Sequence, residues 1–437
     1  MKRVLVLFIP IFSFFLVNGQ DFAPLSLQSA LTAALENNKE LLIANMEEQS
    51  AAARYKQTHA AFLPQIKLSY TALSTNNPLN AFGFKLQQQS ITPLDFNPEL
   101  LNAPSATENY VAKAEWLQPI INMDMLYMRR AANHQIDVYA FKTKRTREYL
   151  ALEVEKAYAQ LQLAHQANTV LDEALRTIKA IETTTSNRFE KGFIQKSDLL
   201  NVQVQVATIE SQLAEAKSNV LNASDYLSLL MGVETSVVYQ VDLIETVDPV
   251  VNEDSRIPTN RADFRAMQSA VEAQEIMMGS SKMSYLPKLN AFGEYLLNDN
   301  DALGFGSDSY LIGAQLSWSL FNGMATRNKV VEHRIERDKM ITQLDYQKEQ
   351  SQIELNKTIR DIGNARFSLQ QSELAVEQAS EALRILQNRY EQGLVDTNDL
   401  LQSQTQLSKQ KLSKAQAIFQ FNVLQAYLQF LTSTSEI

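Results

Sequence analysis

Four histidines are the first residues to consider, because this side chain is the commonest metal ligand and general base in proteins. His59, His134, His165 and His333 have no ligand spacing, and each is expected to be a surface residue of a helix. The sequence contains no cysteine, which excludes thiolate metal sites, disulfides and a lipid anchor on cysteine. There is also no phosphate-binding glycine loop or nucleophile motif. We therefore expect no catalytic residues, no metal site and no cofactor.

Two aspartates occupy the same place in a repeated motif. The segment from Arg188 to Gln203 is matched 201 residues later by the segment from Arg389 to Gln404. Arg, Glu, Gly, Asp, Leu, Leu and Gln recur at one spacing, and the aspartates, Asp198 and Asp399, each stand six residues after the glycine. An aspartate there could form part of a cation-binding ring or simply stabilise the start of a helix.

A second repeated string shows that the whole chain is duplicated. Phe62 to Ile66 resembles Tyr285 to Leu289, which lies 223 residues later, and both strings contain Leu-Pro. The larger offset means that the first half has about 22 extra residues, and we interpret Asn76 to Ser105, with four prolines, as a long loop. Internal duplication predicts two copies of one structural unit.

Proline-free stretches rich in Ala, Leu, Gln, Glu and Lys predict long helices. A helix of about 68 residues would span on the order of 100 Å, which no ordinary globular core requires. Apolar residues form a narrow stripe typical of helices packed as in coiled coils. The helices are expected at about 24–62, 122–190 and 196–231, and again at 259–284, 322–391 and 396–434.

Alternating polar and apolar residues predict strands between these helices. Residues 65–71 alternate without a break, and residues 310–320 place apolar side chains on one face opposite small or polar ones. Strand pairs are therefore expected at about 64–120 and 287–321. The expected organisation is a signal peptide (1–20), a first repeat (21–236), a linker or equatorial segment (237–258) and a second repeat (259–437).

The N-terminus has the layout of a secretory signal: a basic head, an apolar run from Val4 to Val17, and small or polar residues up to Gln20. An N-terminal anchor is the alternative, but the apolar run is short for a span of roughly 20 residues. Without Lys2 and Arg3, 38 basic residues face 49 acidic ones, leaving a net charge of −11. Such an acidic chain is a poor nucleic-acid binder.

Two strand pairs cannot close a membrane barrel, and open strand edges are not tolerated in lipid. Several copies must therefore combine, and a trimer with four strands per protomer would close a sheet. The same symmetry would gather the long helices into a hollow cylinder below it. The sequence thus predicts a pore with a long periplasmic extension.

The duplicated Arg-(Phe/Tyr)-Glu-x-Gly segment, with Leu-Pro before a strand in each half, resembles the outer membrane efflux protein family of TolC-like proteins. The resemblance covers essentially the whole mature chain. It implies a mainly α fold with a transmembrane β part, in which a trimeric 12-stranded β-barrel, four strands per protomer, continues into a long periplasmic α-helical barrel. The implied location is the outer membrane of a diderm bacterium, extending into the periplasm. The implied partners are two further copies, outer-membrane lipid, a periplasmic adaptor and an inner-membrane pump or transporter.

The resemblance also implies a function. The chain would be the exit duct of a tripartite efflux or type I secretion system, exporting small molecules or peptides passively across the outer membrane. An adaptor would dock at two helical hairpin tips, at Gly192 with Phe193 and at Gly393 with Leu394. The substrate and the class of pump are left open by the sequence.

The resemblance places four residues at a periplasmic aperture: Asp399, Asp198, Ser197 and Tyr390. The chain departs from the family pattern at Val395, where an arginine is expected, and at Gln402, where a second acidic position is expected. The alternative for the tip glycines is a purely structural turn. Trp116 and Trp318, near strand ends, are candidate membrane-interface aromatics, with ordinary packing as the alternative.

Two other classes of protein compete with the duct. A periplasmic coiled-coil adaptor or scaffold of an export complex would explain the helices but not the duplicated strands. A secreted enzyme or structural protein with a helical arm would need a compact catalytic cluster, which the sequence does not show.

Overall fold

The proline-free stretches form helices close to the expected bounds. In a computed structural model, residues 22–235, 237–246 and 256–434 are described. The expected signal peptide lies outside the described residues, as does part of the linker segment, 247–255. The helices are α1 Leu27–Asn37, α2 Lys39–Gln57, α3 Pro78–Gln87, α4 Pro98–Asn102, α5 Met123–Glu190, α6 Lys196–Met231, α7 Ala262–Met283, α8 Ala325–Glu391 and α9 Thr397–Thr432. The strands are β1 Phe22–Pro24, β2 Gln65–Thr75, β3 Thr107–Ile121, β4 Val238–Gln240, β5 Lys288–Asp299 and β6 Ser307–Ser317.

The first expected helix is interrupted at Asn38. The Asn38 side-chain oxygen accepts hydrogen bonds from the backbone N–H groups of Glu40 at 2.9 Å and Leu41 at 3.1 Å. Its amide nitrogen donates to the carbonyl oxygen of Leu230 at 2.9 Å. Asn38 therefore starts α2 as a cap and fixes the junction against α6.

The interpretation of Asn76 to Ser105 as a loop was wrong, because this segment contains α3, α4 and a 3-10 turn at Pro93–Phe96. Three of its four prolines, Pro78, Pro93 and Pro98, mark helix starts, where a missing N–H leaves no hydrogen bond unmade. Asn77 caps α3 by accepting from the Asn80 N–H at 3.2 Å, and Asn97 caps α4. These three prolines, which indicated a loop in the sequence, are instead the first residues of short helices.

The last expected strand is shorter than the alternation suggested. β6 ends at Ser317, which pairs with Lys288, the first residue of β5. The next position on the partner strand is Pro287, which has no N–H to offer the ladder. Pairing therefore stops there, although the apolar alternation runs on to Leu320.

The structure contains two compact units, and each takes pieces from both halves of the sequence. Among the described residues, the first takes those within 22–43, 144–261 and 349–434, and the second takes 44–143 and 262–348. In the first unit, β1 pairs with β4 in parallel, and α1, α5 and α6 enclose a core that includes Ala30, Val154, Leu161 and Leu227.

The second unit is built around an antiparallel sheet with strand order β2-β3-β5-β6. The β3–β5 pair joins the two halves of the sequence, while β2–β3 and β5–β6 are the pairs within each half. Among the helices of the described residues, none combines the length and the apolar composition that a membrane crossing requires.

An ion pair holds the segment between β2 and β3 together. The Lys85 Nζ lies 2.6 Å from Asp95 Oδ1, and Asp95 Oδ2 accepts hydrogen bonds from the Thr92 N–H and hydroxyl, each at 2.7 Å. The hydrogen bond from Lys85, followed by those from Thr92, lowers the pKa of Asp95 from 3.8 to about 2.

We expect this segment to loosen in strong acid. A carboxyl with a lowered pKa contributes stability above its ordinary pKa of 3.8, and that contribution is lost as the pH falls through about 2. Limited pepsin digestion across this range, normalised to an unfolded reference peptide, should show faster cleavage within residues 76–106 at the acid end. The Asp95→Asn variant, which has no carboxyl to titrate, should lose this pH dependence. Identical pH profiles of cleavage for the unchanged protein and for Asp95→Asn would show that the Asp95 carboxylate does not hold this segment together.

Candidate functional site at the helical tips and the sheet faces

Two reversals, from α5 to α6 and from α8 to α9, share one backbone geometry. The Gly192 N–H donates to the Phe189 carbonyl at 2.8 Å, and the Phe193 N–H donates to the Arg188 carbonyl at 3.0 Å. The second tip repeats both bonds around Gly393. This pair of hydrogen bonds defines the Schellman motif, which needs a residue in the left-handed conformation after the helix. Gly192 and Gly393 supply it with φ of +77° and +74°.

Large apolar side chains follow both glycines and are open to solvent. Phe193 is 76% exposed and Leu394 is 68% exposed. A solvent-open recess of roughly 1120 Å³ lies between the tips, with both side chains in its wall. Val395, which replaces the arginine of the family pattern, is partly buried against the apolar cluster below. The tips therefore present an apolar surface above a packed helical base.

Tyr390 lies inside this base, only 4% exposed. Its hydroxyl is 3.2 Å from the Thr185 hydroxyl and 3.3 Å from the Thr397 hydroxyl. The Arg188 guanidinium stacks on the Tyr390 ring with its carbon 4.3 Å from the centroid, and donates to the Tyr390 carbonyl at 2.8 Å. Tyr390 and Arg188 thus connect the two hairpins.

The two motif aspartates have different surroundings. Asp198 Oδ2 accepts a hydrogen bond from the Gln195 N–H at 3.2 Å, so this carboxylate stabilises the start of α6. At the start of α9 that task belongs to Asp396, whose Oδ1 accepts from the Asp399 N–H at 3.0 Å. The Asp399 carboxylate is exposed and has no hydrogen bond or ion pair with any residue that the structure describes. Asp399, unlike Asp198, is available for another role.

Ser197 contacts only its own turn, where its hydroxyl donates to the Gln195 side chain at 3.4 Å. Within the described part of the chain, no hydrogen bond joins Ser197 or Asp198 to Tyr390, although Asp198 and Tyr390 line the same recess. The structure therefore brings these expected aperture residues into one region without linking them directly.

One face of the four-stranded sheet is apolar. Residues paired directly across an antiparallel ladder lie on the same face, so the register assigns every side chain. Toward the strand ends this face also carries five polar residues of the paired strands: Ser74, Glu108, Gln118, Asp299 and Asp308. Its other residues are Ile66, Leu68, Tyr70 and Ala72 of β2, Tyr110, Ala112, Ala114 and Trp116 of β3, Leu289, Ala291, Gly293, Tyr295 and Leu297 of β5, and Tyr310, Ile312, Ala314 and Leu316 of β6.

Five aromatic side chains stand on this apolar face. Tyr110 lies toward the sheet end that carries the connections 76–106 and 300–306, and Tyr70 pairs with Ala112 near the middle of β2. Tyr295 pairs with Tyr310 and with Ala114, which is two residues from Trp116. Trp116 is six residues from Tyr110 on β3, which corresponds to about 20 Å. The aromatic side chains are therefore spread along the apolar face.

Sequence reasoning singled out Trp116 and Trp318 but missed the four tyrosines. Their period-two spacing relative to other apolar residues was the available signal. Trp318 follows β6, is exposed, and donates from its ring nitrogen to the Tyr285 carbonyl at 2.9 Å. It therefore lies just beyond the sheet and not within a strand.

The opposite face of the sheet carries a chain of charges. Lys67 Nζ is 3.9 Å from Glu115, and Lys113 Nζ is 2.7 Å from Glu115 and 2.9 Å from Glu294. The remaining positions mix Ser, Thr, Asn and Gln with aliphatic residues, and they also include Lys288, Phe292, Gly313 and Pro119. We call this the polar face.

The expected surface histidines are half-buried instead, because each ring contacts a polar group of another element. The described residues contain no group of three or more acidic, histidine or cysteine side chains arranged to hold a metal ion. The contacts are His165 with the Tyr239 carbonyl at 2.8 Å, His333 with Gln274 at 2.9 Å, His134 with Glu272 at 3.4 Å and His59 with Arg129 at 3.4 Å.

Residues 30–233 and 255–434 match the family model described as outer membrane efflux protein. The chain belongs to this family. The resemblance inferred from the duplicated tip motif is thereby confirmed over most of the chain. As an outer membrane efflux protein, the chain is located in the outer membrane and extends into the periplasm. The family and the fold are those of channels and not of enzymes.

Known relatives agree in fold at low sequence identity. The cation efflux system protein CusC of Escherichia coli K12 is 20% identical over 278 residues, which cover 62% of this chain and 55% of that protein. The aligned part thus spans about half the length of that curated relative. The CmeC outer membrane channel of Campylobacter jejuni has a TM-score of 0.77 at 17% identity, covering 94% of this chain and 87% of that one. VceC of Vibrio cholerae has a TM-score of 0.76 at 16% identity, covering 94% and 97%. These likenesses confirm the TolC-like fold.

We expect the tip glycines of this efflux protein to be required for their backbone conformation alone. Gly192→Ala or Gly393→Ala should each lower the free energy of unfolding by about 1–2 kcal/mol, because a Cβ disfavours positive φ. A Cβ at either position would meet no atom within 4 Å, so steric contact contributes nothing. Thermal unfolding of the purified variants measures the effect.

Gly363 provides the matched control, since it is exposed inside α8 and a Cβ there also meets nothing within 4 Å. Gly363→Ala should raise the free energy of unfolding by about 0.5–1 kcal/mol, the usual gain in a helix interior. Destabilisation of equal size at all three positions would show that the positive φ is not the cause.

Proposed function

We propose that the chain is one protomer of a trimeric exit duct, through which a tripartite efflux system exports small molecules or peptides passively across the outer membrane. The observation that carries this proposal is the four-stranded sheet with an apolar face, a polar face and two edge strands, β2 and β6. Open edges are not tolerated in lipid, so the edges must pair with other copies. Three copies supply twelve strands, an acceptable number for a closed barrel.

The two faces give the barrel its orientation. Lipid would contact the apolar face, with Tyr110 toward one interface and Trp116 toward the other, where aromatic side chains are favoured. Water and cargo would pass along the polar face, beside Lys67, Lys113, Glu115 and Glu294. The sheet supports this assignment over the alternative of a periplasmic coiled-coil adaptor, since an adaptor needs no such surface.

The helical tips are the proposed contact with a periplasmic adaptor. Phe193 and Leu394 are apolar, exposed and placed on either side of one recess, which is the arrangement expected of a protein-binding surface. The energy for transport would come from an inner-membrane pump or transporter joined through that adaptor. CusC is named for cation efflux, but the proposed cargo of this chain includes organic molecules and peptides. A type I secretion system is the other kind of export system in which the duct would serve.

Asp399 is the proposed aperture residue. In a trimer its three free carboxylates would form an acidic ring that favours cations. Asp198 is the second candidate, because its carboxylate is already engaged at the start of α6. Ser197 stands beside it, and Tyr390 holds the two hairpins together behind the ring.

The trimer itself is tested with the purified mature protein. It should migrate as a heat-labile trimer in detergent and conduct ions in planar bilayers. A protein that stays monomeric and conducts nothing would overturn the proposal.

We expect Asp399→Ala to raise single-channel conductance and to move the cation-to-anion permeability ratio toward unity, because the acidic ring is removed. Asp198→Ala is the matched control: it should change selectivity less and should lower stability by about 0.3–1 kcal/mol through the loss of its helix-start interaction. Both quantities come from bilayer recordings under a salt gradient, together with thermal unfolding. Unchanged conductance and selectivity in Asp399→Ala would remove Asp399 from the aperture.

A further inference from the structure

The extra residues of the first half lie over the polar face of the sheet. We call residues 76–106 the mouth segment. The Gln88 side-chain nitrogen donates to the Glu108 carbonyl at 2.7 Å and to the Asn109 side-chain oxygen at 3.0 Å. Asn109 in turn donates to the Gln87 side chain at 3.3 Å. The C-terminal end of α3 is therefore tied to the beginning of β3 through the Asn109 side chain.

Strand alternation shows which face the tie occupies. Asn109 is four residues before Lys113 on β3, so both side chains point to the polar face. Asn109 also donates to the Asn298 side chain of β5 at 3.2 Å, and the Ser307 hydroxyl of β6 donates to the Gln87 carbonyl at 2.6 Å. The exposed fractions of Asn109 and Asn298 are 0% and 1%, so α3 covers the polar groups of three strands.

The second half has no counterpart of this arrangement. Its strands are joined by residues 300–306 alone, and the Leu303 N–H donates to the Tyr70 hydroxyl on the apolar face at 2.9 Å. The two connections at this end of the sheet thus turn to opposite faces. The mouth segment alone is placed over the proposed water path.

The mouth segment also exposes large apolar side chains in that position. Leu79 is 81% exposed and Leu94 is 76% exposed, and Leu86, Phe96 and Leu100 are exposed as well. Five large apolar side chains are thus open to solvent within one short segment. In a pore, an apolar ring narrows the path and resists wetting.

We propose that the mouth segment is a second constriction of the duct, at the barrel end away from the helices, which limits the size and polarity of what can pass. Three copies of α3, each tied to the polar face by Gln87 and Gln88, would bring their apolar side chains together around the path. This inference rests on the proposed function, because it needs the polar face to line the duct.

The absence of cysteine allows a direct test. Ser69→Cys places one thiol on the polar face, opposite Lys113 and deeper in the sheet than Asn109. Intact cells are treated from outside with a small maleimide or with a maleimide carrying a long polyethylene glycol chain. In the otherwise unchanged protein, the small reagent should react and the large one should be excluded.

Removing the constriction should admit the large reagent. In one variant the seven-residue connection 300–306 replaces the mouth segment, and in a milder one Gln87→Ala and Gln88→Ala remove the side-chain ties. Labelling of Ser69→Cys by the large reagent should rise on the order of tenfold in the first variant and by less in the second. Asn102→Ala, which removes an exposed amide from α4, is the control and should leave exclusion unchanged.

The outcomes separate the two proposals. Equal labelling by the large reagent with and without the mouth segment, whether fast or absent, would overturn the constriction while leaving the duct intact. A trimer in which even the small reagent fails to react after the mouth segment is replaced would overturn the assignment of the polar face to the water path, and the proposed function with it.

Discussion

The unpaired edges of a four-stranded sheet are the constraint from which the assembly follows. The outer edges of β2 and β6 carry backbone N–H and C=O groups that need partners, and hydrocarbon offers none. A sheet with one apolar face and one charged face also cannot be buried alone, because each face needs a different solvent. Pairing with further copies, as proposed, would satisfy both needs at once.

Duplication supplied the framework, and divergence at two points gave its halves different roles. At the tips, Gln195 and Asp396 occupy equivalent positions, but only Asp396 caps its helix with its own carboxylate. That single difference frees Asp399 while Asp198 stays engaged. In the sheet, residues 76–106 and 300–306 join equivalent strand pairs, yet they turn to opposite faces.

Sequence periodicity predicted the helices and strands well because long proline-free runs and strict alternation leave few alternatives. It failed at residues 76–105, since a proline can end one helix or begin another, and only capping by Asn77 and Asn97 decides which. The tip aspartates looked equivalent because motif matching compares residues position by position. Their difference depends on which side chain three residues earlier accepts the helix N–H. Period-two spacing within a strand indicates that each tyrosine shares a face with apolar residues, but only cross-strand register shows that the four tyrosines and Trp116 stand on one common face.

The charges of the polar face bear on where selectivity can reside. Lys67 and Lys113 are matched by Glu115 and Glu294 in one continuous chain of contacts, so the middle of the polar face carries no net charge from these four groups. Exposed ion pairs of this kind contribute little to stability, and a neutral wall attracts neither cations nor anions. Under the proposed function, discrimination would therefore fall to groups outside this chain of contacts: the unpaired Asp399 carboxylate and the apolar side chains of the mouth segment. Such a duct would accept varied cargo along its polar face and restrict passage where these groups stand.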